Sequence, residues 1–184
     1  MATELKGASQ LRYALRKFEP DLAKELQDQM AAALKPIVKR ARGYIPSTFT
    51  PSHWRGETKT GKWPIYNASL MRRGIGYKTT PSKPNRRGFS YAASIHNKTA
   101  SGAIFETAGR KNPGGDPNSR SNNPGAGAHF ISRMGPLYGD KQAERGRMIF
   151  RAWKEDRGKA QDAVVMAILK TIENFNQGRY GKAA

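Results

Sequence analysis

The sequence predicts an α+β fold: a small antiparallel sheet packed against a long, kinked N-terminal helix and a C-terminal helix, with two long loops. Three observations carry this expectation. Apolar residues recur every three or four positions from Leu22 to Ala41, and again from Ala160 to Phe175, the spacing of one helix face. Phe89, Tyr91, Ala93 and Ile95 alternate with Ser90, Ala92, Ser94 and His96, the period of a strand. Between these segments, 46–67 and 108–128 are rich in turn-forming residues and have no period.

Residues 1–7 read as a flexible end, and Leu11, Leu15 and Phe18 as a short helical stripe over 9–18. The long helix follows over 19–43. Leu22, Leu26, Met30, Leu34, Ile37 and Ala41 form its apolar stripe, with Lys24, Asp28, Lys35, Lys39 and Arg42 opposite. Pro20 suits the first turn, acids lie early and bases late, and Gly43 can end the helix. Its length is about 35 Å at 1.5 Å per residue. Pro36 lies inside it, where the ring meets the carbonyl of Ala32 and costs about 3 kcal/mol unless the helix bends. The unbroken stripe across Pro36 predicts a kinked, continuous helix rather than two.

Loop 46–67 carries His53, Trp54, Trp63, Ile65 and Tyr66, aromatics that should pack on the domain or on a neighbouring subunit. A strand is expected over 72–79, and 88–107 reads as an antiparallel hairpin whose second strand is 103–107. Loop 108–128 holds no core-forming residue, and Phe130, Ile131, Met134 and Leu137 return the chain to the core. A helical piece over 147–156, a break at Gly158 and a stripe to Asn176 complete a single domain spanning 1–184, with a frayed tail from 178.

Composition narrows the function. The 184 residues contain no cysteine, which excludes disulfide scaffolds and cysteine-based zinc sites. No run of about 18 apolar residues exists, so no transmembrane helix is expected. The polar N-terminus lacks a signal-peptide apolar region, which points to synthesis in the cytoplasm. The net charge is +19, and most of it is local: between Lys35 and Phe105, fourteen bases against one acid, Glu57, leave +13. Such a field favours an anionic partner, either nucleic acid or an acidic protein surface. Lys39, Arg40, Arg42, Arg72, Arg73, Arg86 and Arg87 are the candidate partner-facing or DNA-facing residues, with partner proteins favoured and DNA as a second contact.

Catalytic chemistry finds little support. Gly56-Glu-Thr-Lys-Thr-Gly61-Lys62-Trp63 nearly matches a phosphate-binding loop, but Trp63 replaces the hydroxyl residue, Pro64 follows and no apolar strand precedes it. His53, His96 and His129 share no helical spacing, so no metal site is signalled. No nucleophile elbow occurs. Glu106 sits on an expected core strand. It is read as a structural acid, pairing with a base or with turn amides near Gly109, and not as a proton donor. No catalytic, cofactor-binding or metal-binding residue is assigned.

Three blocks look familiar. Leu34-Lys-Pro-Ile-Val-Lys-Arg-Ala-Arg in the long helix, and Gly102-Ala-Ile-Phe-Glu-Thr-Ala-Gly-Arg-Lys-Asn-Pro-Gly, are followed by Arg147-Met-Ile-Phe-Arg-Ala-Trp ahead of the last helix. Over about 20–176 this order resembles the neck or tail-completion (minor tail) proteins of long-tailed bacteriophages. The Ile-Phe-Glu-x-Ala-Gly-Arg form resembles the variants in phages of actinobacteria. The resemblance implies a virion structural protein: a ring subunit at the head–tail junction, hexameric or dodecameric, contacting other neck and tail proteins, with no catalytic residues and no cofactor. In such a ring, Trp54, Trp63 and Tyr66, together with Val165 and Leu169, are the expected subunit contacts. Pro36, Glu106 and Gly109 are the expected structural residues. The alternative is a DNA-binding protein without sequence preference that uses its basic loops and aromatics.

Overall fold

The computed structural model describes residues 8–47, 54, 57–58, 61–62, 64–87, 90–119 and 122–177. Among the described residues the fold is α+β, with seven α-helices and two small two-stranded sheets. Contacts group the chain into two compact units. The first gathers the described residues up to Pro36, Tyr77–Ile95 and those from Gly158 onward; the second gathers Ile37–Gly76 and His96–Arg157.

In the first unit, α1 (Ala8–Phe18) leads almost directly into α2 (Pro20–Gly43), because Glu19 N–H still donates to the Leu15 carbonyl at 2.7 Å. Leu15, Leu22, Ala23, Leu26 and Met30 meet Ala167 and Ile168 of α7 (Lys159–Asn176), and Ala92 and Ala93 close the edge of this core. The expected stripe of α2 is buried along its whole length, from Leu22 to Ala41. The helix runs unbroken through Pro36, whose side chain is exposed. Arg157 (φ 54°) and Gly158 (φ 84°) are both left-handed, and this pair separates α6 (Ile149–Asp156) from α7 at the expected break.

The second unit holds the end of α2 together with α3 (Ala68–Gly74), α4 (Ala100–Thr107), α5 (Ala126–Arg133) and α6. Its buried residues include Ile37, Ile45, Met71, Ile75, Phe105, Met134 and Met148. Arg42 donates to the Ile75 carbonyl through two nitrogens, at 3.2 and 2.6 Å. Arg72 donates to the Ile45 carbonyl and to Ser47 Oγ. β1 (Glu57–Thr58) and β2 (Gly61–Lys62) form an antiparallel pair, and β3 (Ile75–Lys78) hydrogen-bonds to β4 (Ser94–Asn97).

Three sequence expectations are corrected. The strand expected over 72–79 begins only at Ile75, because Arg72 and Arg73 lie in α3. The Asn67 side chain caps that helix by accepting from Leu70 N–H at 2.8 Å. The hairpin expected over 88–107 is not formed: 103–107 belongs to α4, and β4 takes β3 as its partner. Thr99 caps α4 through Gly102 N–H, and Asn97 braces Thr99. Loop 108–128 ends earlier than expected, since Ala126 already starts α5.

Candidate functional site

Glu106 and Arg147 form the chemically most constrained site in the second unit. Glu106 occupies the last turn of α4, not a strand end, and is 5% exposed. Its Oε2 accepts from Met148 N–H at 2.5 Å and its Oε1 from Phe150 N–H at 2.9 Å. These amides open α6, whose N-cap residue Met148 provides no side-chain cap of its own. The carboxylate therefore replaces the cap and meets the positive end of the helix dipole. Burial raises the Glu106 pKa above the usual carboxylate value, while the amides of Phe150, Met148 and Arg147 and the charge of Arg110 pull it back down.

Arg147 works in the opposite sense. It is 4% exposed, and its guanidinium donates to the carbonyls of Gly135 (2.9 Å), Phe105 (3.0 Å) and Ala108 (2.8 Å). Phe105 and Ala108 lie at the C-terminal end of α4, where carbonyls lack helical N–H donors. Burial lowers the arginine pKa to about 10, and the nearby Glu106 charge works against that shift. A helix end and a helix start are thus joined by one acid and one base.

The neighbouring glycines explain why the lock closes. At Gly146 a Cβ would overlap the Glu106 carboxylate and come within 3.0 Å of Phe150 Cβ. Gly109 has φ +80°, and a Cβ there would lie 2.5 Å from Ile131 Cγ2. Position 109 is therefore held to glycine by its backbone and by Ile131. Glu106 hydrogen-bonds to the amides that open α6, not to those near Gly109.

Trp54 corrects the reading of loop 46–67. Only 4% exposed, it packs on Tyr66 (ring centroids 5.3 Å apart) and Phe130 (5.2 Å), and its Nε1–H donates to the Pro64 carbonyl at 2.5 Å. Tyr66 in turn meets Phe105, and its hydroxyl donates to the Pro46 carbonyl. Both rings find their ring contacts and hydrogen bonds within their own chain. Trp63 lies outside the described residues. Of the expected contacts on α7, Val165 is half-buried and Leu169 is 50% exposed beside Met166 at 64%.

The candidate basic residues are divided between the two units. Lys39, Arg40, Arg42, Arg72 and Arg73 belong to the second unit, and Arg86 and Arg87 to the first. Arg42 and Arg72 spend their guanidinium donors on backbone carbonyls. Lys39, Arg40, Arg73, Arg86 and Arg87 are exposed.

A second arginine, Arg151, was not singled out from the sequence. Its guanidinium lies between the rings of Tyr44 (4.0 Å) and Tyr138 (4.2 Å) and pairs with Glu155 at 3.0 Å, while Glu155 also accepts from the Tyr44 hydroxyl. The i, i+4 spacing of Arg151 and Glu155 was its only sequence signal. Among the described residues no group of three or more His, Asp or Glu side chains is arranged to hold a metal. Gly61 and Lys62 lie in a strand, where a phosphate-binding loop would open a helix. No described helix is long and apolar enough to cross a membrane.

No protein-family model, curated protein or solved structure matches this chain.

Proposed function

We propose that this chain is an architectural virion protein, a ring-forming subunit of the head–tail neck of a long-tailed phage, made in the host cytoplasm and acting without catalysis. One observation carries the reading. Two of the three blocks that resemble the tail-completion family, 102–114 and 147–153, are bound to each other by the Glu106–Arg147 lock. Their distinctive acid and base are consumed in holding helices, and neither is presented to a substrate. Sequence features whose chemistry is spent on rigidity suit a protein whose work is to keep a shape under load.

In this reading, partner chains and further copies of the protein cover the open strip of α7, where Val165, Met166 and Leu169 interrupt an otherwise polar face. Trp54 and Tyr66 act inside the subunit. Six copies are favoured, matching tail symmetry as the resemblance implies, with twelve as the alternative. The test is negative-stain imaging of the purified chain, alone and mixed with phage tails. Closed rings, or density added at the head-proximal end of the tail, are the expected result. A protein that neither closes into rings nor attaches to tails would overturn the proposal.

A further inference from the structure

We propose that the segment 82–87 is a contact for the phosphate backbone of duplex nucleic acid, with Lys83, Arg86 and Arg87 as its cations. The inference stands apart from the neck reading, and either can fail without the other.

The segment is anchored at Ser82. Ser82 N–H donates to the Tyr91 carbonyl and Tyr91 N–H donates to Ser82 Oγ, both at 2.9 Å. Pro81 and Pro84 restrict the rising strand of the loop. Asn85 Oδ1 accepts from Arg87 N–H at 2.9 Å and sets a turn there. Three cations thus sit within five residues directly after Ser82, which Tyr91 anchors, and this lowers the entropy lost on binding.

Among the described residues those cations have no internal partner. No salt bridge among the described residues involves them, and no aspartate or glutamate occurs anywhere between Glu57 and Glu106. In contrast to Arg42 and Arg72, their side chains do not serve backbone carbonyls, and all three are exposed. Tyr91, 58% exposed, stands beside them. The span from Lys83 to Arg87 reaches at most about 14 Å. That suffices to meet phosphates on both sides of a minor groove about 6 Å wide.

The surroundings favour nucleic acid over an acidic protein. Protein interfaces centre on apolar anchors and are depleted in lysine. Here the exposed side chains are Lys83, Pro84, Asn85, Arg86 and Arg87, with Tyr91 the one large ring among the exposed described residues of the loop. Backbone phosphates require cations alone, and contacts to them carry no sequence preference.

The experiment measures binding of the full chain to a labelled random-sequence DNA duplex by anisotropy between 50 and 200 mM salt. The wild type is compared with Lys83→Gln/Arg86→Gln/Arg87→Gln. A control variant, Lys24→Gln/Lys159→Gln/Lys170→Gln, removes three exposed cations from helices. Three phosphate contacts predict that the loop variant flattens the slope of log K against log salt by about 2.7. The wild type then loses roughly 40-fold more affinity than the loop variant across that fourfold change in salt. The control keeps the wild-type slope, and Arg86→Lys/Arg87→Lys keeps it too. Unchanged thermal unfolding of the loop variant ensures that folding is not the cause. The proposal is overturned if the wild type does not bind duplex DNA, or if the control flattens the slope as much as the loop variant. It is also overturned if poly-glutamate of matched charge binds more tightly than DNA and is lost in the same loop variant, which would identify an acidic protein as the partner.

Discussion

Replacing Glu106 with glutamine tests the lock most directly. In the native chain each carboxylate oxygen accepts from one amide, Met148 at 2.5 Å and Phe150 at 2.9 Å. Glutamine keeps one acceptor oxygen and points an N–H donor at the other amide. One buried hydrogen bond is lost and one backbone donor is left without a partner, a cost of about 1–3 kcal/mol. For a chain of this length the midpoint of thermal unfolding should fall by roughly 2–12 °C. The effect carries a definite pH sign. The folded-state pKa of Glu106 is raised, mainly by burial. Between the ordinary carboxylate value and that raised value, the folded protein holds a proton that the unfolded chain has released, so stability falls as pH rises. The contribution is complete below about pH 4.3 and is lost as pH passes through the raised value. Glutamine does not titrate. Urea unfolding of both proteins at pH 4, 5.5 and 7 should therefore show the gap between them shrinking as pH increases. A gap below about 0.5 kcal/mol at every pH, or one that widens with pH, would refute the reasoning, since mutations without a specific mechanism stay within that range.

Other substitutions probe the same architecture from different sides. Gly146→Ala drives a methyl into the Glu106 carboxylate and should cost about 1–3 kcal/mol in urea unfolding; a neutral result would mean that α6 can shift freely. Arg147→Lys keeps the charge but cannot fork to the carbonyls of Gly135, Phe105 and Ala108, and should lower stability by about 2–4 kcal/mol. Trp54→Ala empties a buried aromatic site and should destabilise the chain by about 3–5 kcal/mol, where a purely intersubunit role would leave the monomer's unfolding unchanged. Pro36→Ala restores an N–H to an exposed position of a continuous helix and should raise the thermal midpoint of the isolated protein, up to the roughly 3 kcal/mol cost of an interior proline; a lower midpoint would mean that the proline sets a required bend.

The helices were legible where burial has a period. The stripes of α2 and α7 repeat often enough that neither Pro36 nor the neighbouring charges obscure them, and all six positions of the α2 stripe are buried. The middle of the chain was harder to read. In 72–79 and 103–107 the segments are short, and β-branched or aromatic residues alternate with small ones, so a period of two cannot be told from a helix of two turns. The deciding features were local caps, Asn67 for α3 and Thr99 for α4, each three residues ahead of the amide it serves. Half of the lock was visible in advance. A carboxylate within an apolar run had to find donors, and Glu106 did. Arg147 was not, because a buried arginine serving carbonyls looks in sequence like any other base in a chain with 33 of them.

That excess of bases has two origins. The strands of this fold are four residues or shorter, so a sheet ladder satisfies few backbone carbonyls outside the helices. Arginine side chains take over that work. Arg12 donates to Thr79, Arg42 to Ile75, Arg72 to Ile45, Arg110 to Ala143, Arg145 to Gly139, and Arg147 to Phe105, Ala108 and Gly135. Each is a planar fork reaching a carbonyl at a helix end or in a loop, a geometry that lysine does not reproduce. These residues would be basic whatever the protein binds. The +19 charge is therefore a poor guide to the partner when taken as a sum. It becomes informative only after the structural arginines are set aside; Lys83, Arg86 and Arg87 then group with Lys39 and Arg73 as exposed bases that make no ion pair among the described residues, and three of these five lie on one short segment.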